Sequence, residues 1–342
     1  MKFIVKQTNL KEALNKLVRI TSKQISVYKN VKIEKLSNDR LLLSATNGIL
    51  SMRIKLPAVD VDGEPIAIDA RRFNDVVNRL EGNLTFYDGV ISANKSRVKL
   101  EISAAEFEIA FNKTQDYKDY EVSADVLHGL KSKIYATNKE GVLSGISLKG
   151  NEICATNSTV LALQTTDINI ENQVVISSDF ARELSDCIDE DFTLSVCPSK
   201  VMAQTDNIIL VSSLITGTYP NYAQLMPKGY EKSFMIDKSI LLKSLELMLL
   251  LKGTESVACR FKVAQGQLTL ETRSNNNEGS TVIDIDYNNE PMEFALNTEQ
   301  IIAVLNNIES DVITFKFDTD MKPVVITDDN SNTILIMPLR VK

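Results

Sequence analysis

The sequence is poor in the residues that most often build a catalytic or redox centre. Its 342 residues include one histidine, no tryptophan and four cysteines, which show no CxxC spacing. One histidine cannot supply a histidine-based metal cluster, and scattered cysteines indicate buried free thiols in a reducing compartment. The GxGxxG, GxxxxGK(S/T) and GxSxG motifs are also missing. We therefore expect no catalytic residue, no metal ion and no cofactor.

Long apolar runs and targeting signals are also lacking. No stretch of about 18 apolar residues occurs, so no transmembrane helix and no membrane partner are expected. The first six residues (MKFIVK) are typical of a strand and lack the apolar region and cleavage site of a signal peptide. These features predict a cytoplasmic protein. The net charge of −7 argues against nucleic-acid binding, although an acidic exterior can surround a basic inner face.

A short polar segment occurs twice in the chain. Residues 44–48 (SATNG) and 154–158 (CATNS) each lie between two apolar segments. Thr46 and Thr156 are 110 residues apart. A strand, a polar corner and a second strand, repeated at this spacing, predict a duplicated domain rather than a short-period solenoid.

Predicted helix starts extend this duplication to three copies. The capping residues Asp69, Ser177 and Asn297 are separated by 108 and then 120 residues. The same intervals separate the last apolar residues of these helices, which are Leu80, Ile188 and Ile308. We therefore predict three domains that follow one another without flexible linkers. Their boundaries are residues 1–119, 120–232 and 233–342.

Each predicted domain has two amphipathic helices and roughly eight short strands. Thr8 is the predicted N-cap of the first helix, and further helices are predicted over residues 126–134 and 238–251. Tight turns such as Asp88-Gly89 favour antiparallel pairing. The sequence therefore predicts an α+β fold with helices on one face of the sheets.

The predicted helices carry many of the basic residues. A solvated helix face is one explanation, and a basic surface that follows a phosphate backbone is the other. The helical residues concerned are Lys11, Lys16, Arg19, Arg71, Arg72, Arg79, Lys131, Lys133, Arg182, Lys238, Lys243 and Lys252.

Four groups of residues, spread over the full length, carry a resemblance to a known family. They are residues 70–73 (ARRF), 143–146 (LSGI) with 155–162 (ATNSTVLA), 217–222 (GTYPNY) with 226–227 (MP), and 336–340 (IMPLR). In this order, and across a threefold repeat, they resemble the bacterial DNA polymerase III β subunit, the processivity sliding clamp.

The resemblance implies a head-to-tail homodimer, in which six similar domains close a ring around duplex DNA. Because the DNA passes through the closed ring, the protein stays on DNA without tight contacts. Its contacts to DNA can therefore stay weak and directed to phosphates. The implied DNA-facing residues are Lys11, Lys16, Arg19, Lys23, Arg71, Arg72, Arg79, Lys131, Lys133, Arg182, Lys238 and Lys243. The implied partners are the DNA polymerase III α subunit, the clamp loader and other proteins with a clamp-binding motif.

The resemblance also implies a peptide-binding pocket between the second and third domains. Its implied residues are Leu143, Thr156, Ser158, Thr159, Val160, Leu161, Pro227, Leu335, Met337, Pro338, Leu339 and Arg340. The sequence departs from the family at Thr159-Val160, where a His-Arg pair is common, and at Asn157-Ser158, where Asp-Gly is usual. These changes remove polar and cationic character from the pocket rim.

A dimer seam is implied at two further places. Leu250 and Leu251 match the interface of the third domain, and Val98 and Leu100 match the opposing edge strand of the first domain. Core packing could account for some of these residues. It does not account for the whole run of residues 247–251 (LMLLL) on one helix, because one side of a surface helix should face water.

Two other classes of function remain open at this point. A metal-dependent nucleic-acid hydrolase could use acidic strand pairs such as Asp284 and Asp286, which would share one face of a strand. The acidic run of residues 186–191 is better explained as a solvated turn after a helix. A structural or adhesion-type repeat protein is disfavoured by the basic helices and by the lack of a signal peptide.

Overall fold

The computed structural model describes residues 1–22, 24–105, 111, 113, 116–227, 229–252, 258–274 and 277–340. Over these residues the α-helices are α1 (Gln7–Ile20), α2 (Ala70–Val77), α3 (Asp125–Lys131), α4 (Ser178–Cys187), α5 (Lys238–Leu249) and α6 (Thr298–Leu305).

The strands of the first half of the chain are β1 (Lys2–Lys6), β2 (Asn30–Ser37), β3 (Arg40–Thr46), β4 (Leu50–Pro57), β5 (Val59–Asp62), β6 (Ile66–Asp69), β7 (Asn83–Tyr87), β8 (Val90–Ala93), β9 (Ser96–Lys99), β10 (Ser103–Ala104), β11 (Lys118–Val122), β12 (Gly145–Thr156) and β13 (Val160–Ser177). Those of the second half are β14 (Phe192–Val196), β15 (Lys200–Gln204), β16 (Ile208–Ser213), β17 (Lys232–Asp237), β18 (Ala258–Ala264), β19 (Gln267–Ser274), β20 (Asn277–Asp284), β21 (Met292–Asn297), β22 (Val312–Phe317), β23 (Val324–Thr327) and β24 (Asn332–Ile336).

The first compact unit comprises residues 1–124 and 183–214. It contains a five-stranded sheet in the order β5-β1-β7-β8-β9 and a nine-stranded sheet in the order β10-β6-β2-β3-β4-β16-β15-β14-β11. Helices α1 and α2 pack against each other, and the Gln7 side chain donates to the Val77 carbonyl at 2.9 Å. Phe3 and Phe86 stack in the core with ring centroids 4.8 Å apart.

The second compact unit comprises residues 125–182 and 215–342. Its six-stranded sheet has the order β12-β13-β24-β23-β22-β17, and its four-stranded sheet has the order β20-β19-β18-β21. Helices α5 and α6 pack against each other, as α1 and α2 do in the first unit. Phe234 and Phe315 stack in this core at 5.1 Å. The mixture of antiparallel sheets and helices confirms the predicted α+β class.

Side-chain caps begin most of the predicted helices where the sequence placed them. The Asp69 carboxylate accepts from the Arg72 amide at 2.9 Å, and the Asn297 side chain accepts from the Gln300 amide at 3.1 Å. The hydroxyl of Ser177 likewise accepts from the amide of Phe180. Each oxygen satisfies an amide that has no partner within its own helix.

The prediction for Thr8 was wrong. Helix α1 begins at Gln7, and the residue before it, Lys6, makes no capping bond with its side chain. The Thr8 hydroxyl, already inside the helix, bonds the Asn9 side chain instead. Strand β1 runs directly into this helix, so the boundary follows from the strand and not from a polar cap.

The other predicted helices also end earlier than predicted. Helices α2, α4 and α6 end at Val77, Cys187 and Leu305, before Leu80, Ile188 and Ile308. Helix α3 ends at Lys131 and is followed by a separate 3-10 turn, Ile134–Ala136. Helix α5 ends at Leu249, so the apolar run extends beyond it. Within the described ranges, no helix combines the length and apolar character needed to cross a membrane.

Candidate functional site

The turn between β12 and β13 is closed by its own side chains. The Thr156 hydroxyl donates to the Val160 carbonyl at 2.8 Å. The Asn157 side-chain oxygen accepts from the amides of Thr159 and Val160, at 3.1 and 2.8 Å. Ser158 completes the turn in a left-handed conformation with φ +75°. This network fixes the corner locally, because threonine and asparagine side chains satisfy the amides that the turn leaves unpaired.

An apolar cluster lies on one face of the six-stranded sheet beside this corner. Its buried residues are Cys154, Leu161, Val175, Tyr219, Tyr222, Val325 and Leu335. Partly buried side chains surround them, namely Val142, Leu143, Leu163, Ile215, Met226 and Tyr230. Leu161 lies opposite Leu335 in the β13–β24 ladder, so adjacent strands supply the floor. The partly buried rim gives an apolar surface that a short peptide could cover.

Two tyrosines cover part of this floor and have their hydroxyl groups paired. The Tyr219 hydroxyl donates to the Cys154 carbonyl at 3.3 Å, and the Tyr222 hydroxyl donates to the Glu152 carboxylate at 2.9 Å. Burial raises the pKa of both phenols, and the Glu152 carboxylate raises the pKa of Tyr222 further. Both phenols therefore remain protonated donors at neutral pH and hold the segment that follows β16 onto the sheet.

The C-terminal segment continues beyond β24 and is bonded to the corner and to β21. The Met337 amide donates to the Thr159 carbonyl at 2.8 Å, and the Leu339 amide donates to the Ala295 carbonyl at 2.7 Å. The Gln300 side chain also donates to the Thr159 hydroxyl at 2.8 Å. Met337 and Leu339 remain exposed, so they extend the apolar surface toward solvent.

The structure brings most of the predicted pocket residues together. Leu143, Leu161 and Leu335 belong to the apolar cluster, and half-buried Pro227 directly follows its rim residue Met226. The corner residues Thr156, Ser158 and Thr159 close the turn beside the cluster, and the tail segment with Met337, Pro338, Leu339 and Arg340 is bonded to the corner through the Met337 amide. Whether they bind a peptide stays a prediction.

Val160 is a correction to that set. Neighbouring residues of a strand point to opposite faces, and Leu161 lies in the cluster. Val160 therefore faces the other side of the sheet, where it is 2% exposed. Its side chain cannot line the pocket, although its carbonyl accepts the Thr156 bond.

Sequence reasoning missed the two tyrosines, Cys154, Val175 and Val325 as buried cluster residues. The tyrosines lie in the segment GTYPNY, which carried part of the family resemblance without being assigned to the pocket. That motif was the available signal. Val175 lies near the end of β13, the strand that also holds Leu161, and Val325 lies on β23, which pairs with β24; the resemblance assigned neither of them to the pocket.

Most of the predicted basic residues lie on exposed helical surface. Those that are exposed are Lys11, Arg19, Arg71, Arg72, Arg79, Lys131, Arg182 and Lys243, while Lys16 and Lys238 are half-buried. Several are engaged within their own unit. Arg19 pairs with Glu183 at 2.7 Å, and the Lys238 ammonium donates to the carbonyls of Ile308 and Glu309. Lys23 lies outside the described residues.

Lys133 is a second correction. It was predicted to face DNA, but its side chain is 2% exposed and its ammonium is enclosed by the protein. The Nζ atom donates to the side chains of Ser132, Gln164 and Asn332 at 2.7 to 3.0 Å. The sequence placed it on a helix, whereas it follows the end of α3 and turns inward.

The residues of the predicted dimer seam differ in exposure. Leu250 is 80% exposed, and Leu247 is also exposed, so the end of α5 presents apolar side chains to solvent. Leu251 and Val98 are half-buried. Leu100 is 5% exposed and therefore offers little side-chain area to a partner. The seam stays a prediction.

The acidic groups within the described residues do not form a candidate metal site. Across the described ranges, no group of three or more His, Cys, Asp or Glu side chains is arranged to hold a metal ion. Asp284 is the last residue of β20 and Asp286 lies beyond it, so they do not share a strand. A cavity of about 400 Å³ lies in the first unit beside α1 and β4, and none of the predicted pocket residues lines it.

Comparison with known proteins gives concordant matches. Residues 1–124 match the family model described as DNA polymerase III beta subunit, N-terminal domain, and residues 223–340 match that of its C-terminal domain. Together the two matches cover more than two thirds of the chain. The beta sliding clamp of Synechococcus elongatus is 25% identical and is matched over the full length of both chains.

Solved structures match over the whole length of both chains. The Helicobacter pylori beta clamp bound to a DNA ligase peptide superposes with a TM-score of 0.89 at 19% identity. The sliding clamp of Bartonella birtlesii bound to griselimycin superposes with a TM-score of 0.92, also at 19% identity. At this identity the likeness establishes the fold.

Proposed function

The chain belongs to the DNA polymerase III beta subunit family, and we propose from that premise that it is a sliding clamp without catalytic activity, which encircles duplex DNA and tethers replication proteins to it. The observation that carries the proposal is the similarity to beta sliding clamps along the entire chain. The apolar cluster agrees with it, because its side chains do not form a catalytic arrangement. The hydrolase alternative is set aside, because the relatives are clamps and Asp284 and Asp286 do not share a strand.

We propose that two copies close head to tail into a ring of six domains, with the chain divided at residues 1–119, 120–232 and 233–342. The exposed leucines at the end of α5 support the seam, since an apolar patch at a helix end is costly to leave in water. Half-buried Val98, which lies on edge strand β9, is proposed as the opposing element.

The exposed arginines and lysines of the helices are proposed to face DNA. Their side chains would neutralise phosphates without reading bases, which suits a protein that must move along any sequence. Lys133 is excluded from this group by its burial. The acidic balance of the whole chain, −7, is compatible with this arrangement, because an acidic exterior can surround a basic inner face.

The apolar cluster is proposed to bind short linear motifs of the polymerase α subunit, the clamp loader and other clamp-binding proteins in the cytoplasm. A DNA ligase peptide is bound by the Helicobacter pylori clamp. An apolar floor with few polar groups on its rim suits an extended peptide that ends in apolar side chains.

A slide-off assay tests the clamp proposal. The purified protein is loaded on circular DNA with a clamp loader, and the circle is then cut once. A topological clamp is released by the cut, whereas a protein that binds DNA by contacts alone remains bound. Retention on the linear product would contradict the proposal.

Light scattering tests the proposed seam separately. A dimer should give twice the chain mass of 38.1 kDa at micromolar concentration. Replacing both Leu250 and Leu251 with aspartate should give monomers, because the apolar contact would be replaced by charge that must be desolvated. Replacing Leu225, which is also exposed, is the matched control and should leave the dimer intact.

A further inference from the structure

The ammonium of Lys133 is held by three neutral oxygen atoms inside the second unit. Its Nζ atom donates to the Asn332 side-chain oxygen at 2.7 Å, to the Ser132 hydroxyl at 2.8 Å and to the Gln164 side-chain oxygen at 3.0 Å. All three N–H groups of a protonated lysine therefore have a partner.

Two of these acceptors form a cross-strand pair. Gln164 on β13 lies directly opposite Asn332, the first residue of β24. Asn332 is held in turn by Asp328, whose carboxylate accepts from the Asn332 side chain at 2.7 Å and from its backbone amide at 3.0 Å. One ammonium thus ties together the two strands that supply Leu161 and Leu335 to the pocket floor.

The stability of the protein does not explain this buried charge. Burial lowers the pKa of Lys133 to about 8, from 10.5 when unperturbed. Between these values the unfolded chain binds more protons than the folded chain, so this group makes stability rise with pH. At neutral pH its charge is buried at a cost in stability, which points to a role in conformational specificity.

The hydrophobic pattern of β24 leaves its register poorly specified. Ile334 and Ile336 point to one face of the sheet and Leu335 points to the other, and all three are buried. A shift of one residue would exchange the two faces, and here it would replace apolar side chains with apolar side chains. A polar contact that only one register can make removes this ambiguity.

We propose that Lys133 is a positioning residue that sets the register of β24 against β13 and thereby presents Leu335 and Met337 to the peptide pocket. The proposal rests on the pocket assigned under the proposed function. Lys133 acts from the opposite face of the sheet, since Gln164 and Asn332 alternate with Leu163 and Leu335 along their strands. It therefore acts on the pocket through β13 and β24 and not by lining it.

Binding of two named probes to the full-length protein tests this role. The probes are griselimycin and the DNA ligase peptide that the Helicobacter pylori clamp binds, and affinity is measured by calorimetry at pH 7. Lys133→Met should weaken both probes by about tenfold or more while the melting temperature stays within a few degrees of the unaltered protein. Lys149→Met, at an exposed position on β12, is the matched control and should bind as the unaltered protein does.

A second variant guards against misfolding of the first. Gln164 is half-buried, so Gln164→Leu removes one acceptor of the pair where the neighbouring side chains can adjust. This variant should also weaken both probes several-fold. Unchanged affinity in both variants would overturn the inference, as would a loss of affinity that follows only from unfolding. If the unaltered chain bound neither probe, the pocket proposal would be overturned and this inference with it.

The dependence of probe affinity on pH distinguishes the proposed role from a purely structural one, because a purely structural lysine should leave that dependence unchanged. The titratable groups that act on Lys133 are the Asp328 carboxylate and the Cys154 thiol, and burial raises the pKa of that thiol. Above about pH 8 the neutral amine has two N–H groups and loses one donation. Affinity for the probes should then fall two- to threefold between pH 7 and pH 9, and this fall should be absent in Lys133→Met.

Discussion

The two Thr-Asn corners are built from the same bonds and differ in what surrounds them. In the first unit the Thr46 hydroxyl donates to the Leu50 carbonyl at 3.0 Å, as Thr156 does to Val160 at 2.8 Å in the second. The Asn47 side-chain oxygen accepts two backbone amides, as the Asn157 oxygen does. Local sequence alone accounts for this likeness, because each bond joins residues at most four positions apart.

The sheet surface beside each corner, its floor, is polar in the first unit and apolar in the second. Thr46 lies opposite Ser51 in its ladder, and its hydroxyl is 2.8 Å from that of Ser51. Thr156 lies opposite Leu161, which is buried in the apolar cluster. One floor is therefore hydrogen-bonded within itself, and the other offers apolar surface.

The first floor is also covered by its own chain. Arg53, two residues beyond Ser51 on β4, stacks its guanidinium 4.1 Å from the ring centre of Phe111. Phe111 packs with Met202 and Val211 in a small buried cluster. The corresponding surface of the second unit has a partly buried apolar rim and the exposed Met337 and Leu339. The second corner, unlike the first, therefore lies beside an apolar surface that remains partly exposed.

Removing the C-terminal tail should cause the largest loss of probe binding at the second corner. Truncation after Ile336 deletes Met337 and Leu339 and the two backbone bonds that the tail makes to Thr159 and Ala295. Affinity for griselimycin and for the ligase peptide should fall beyond detection, because the exposed apolar side chains of Met337 and Leu339 are lost. Calorimetry measures this loss, and truncation after Arg340 is the matched control. Undiminished binding would show that the pocket lies elsewhere.

Replacing Leu161 with serine, the residue at the equivalent position beside the first corner, should have the next largest effect. Leu161→Ser places the counterpart of Ser51 in the apolar cluster. Loss of a buried leucine should lower stability by about 2 to 4 kcal/mol and weaken both probes by about tenfold. Ser51→Ala is the control and should cost about 1 kcal/mol through its lost hydrogen bond, with no change in probe binding. Equal effects of the two changes on binding would contradict the contrast between the floors.

Much of the fold was predictable because its signals are local. The caps at Asp69, Ser177 and Asn297 satisfy amides within three residues, and the spacing of these caps predicted the repeated elements. Thr8 was misassigned for the same reason. A good capping residue was present, but β1 continues into α1 and leaves no turn for it to cap.

The candidate site was less predictable because its parts meet only through the sheet. The resemblance supplied Leu161 and Leu335, yet their pairing depends on β24 joining β13 across more than 150 residues of chain. Val160 was misplaced because a motif read as a string does not tell which face of a strand each residue takes. Lys133 was misplaced because charge predicts exposure unless partners are known, and its partners are distant in sequence.

Replacing the asparagine of each corner with alanine should show whether that corner contributes to stability alone or also to probe binding. Asn47→Ala and Asn157→Ala each remove two bonds to backbone amides, so each should cost about 1 to 2 kcal/mol and lower the midpoint of urea unfolding. Only Asn157→Ala should weaken the probes, by about three- to fivefold, because Thr159 anchors the tail. If Asn47→Ala weakened them equally, the effect on binding would reflect global destabilisation.

Exchanging the left-handed residues of the two corners should have the smallest effect, and its sign should differ between them. Ser158 holds φ +75°, so Ser158→Gly relieves about 1 kcal/mol of backbone strain and gives back part of it through the greater freedom of glycine in the unfolded chain. Gly48 holds φ +94°, and a Cβ atom there would lie 3.0 Å from the Tyr28 ring, so Gly48→Ser should destabilise by about 1 kcal/mol or more. Urea unfolding midpoints should therefore move in opposite directions, while probe affinity changes less than twofold in both variants. A stabilising Gly48→Ser would mean that the first corner can relax away from Tyr28, and the two corners would then differ in rigidity as well as in their floors.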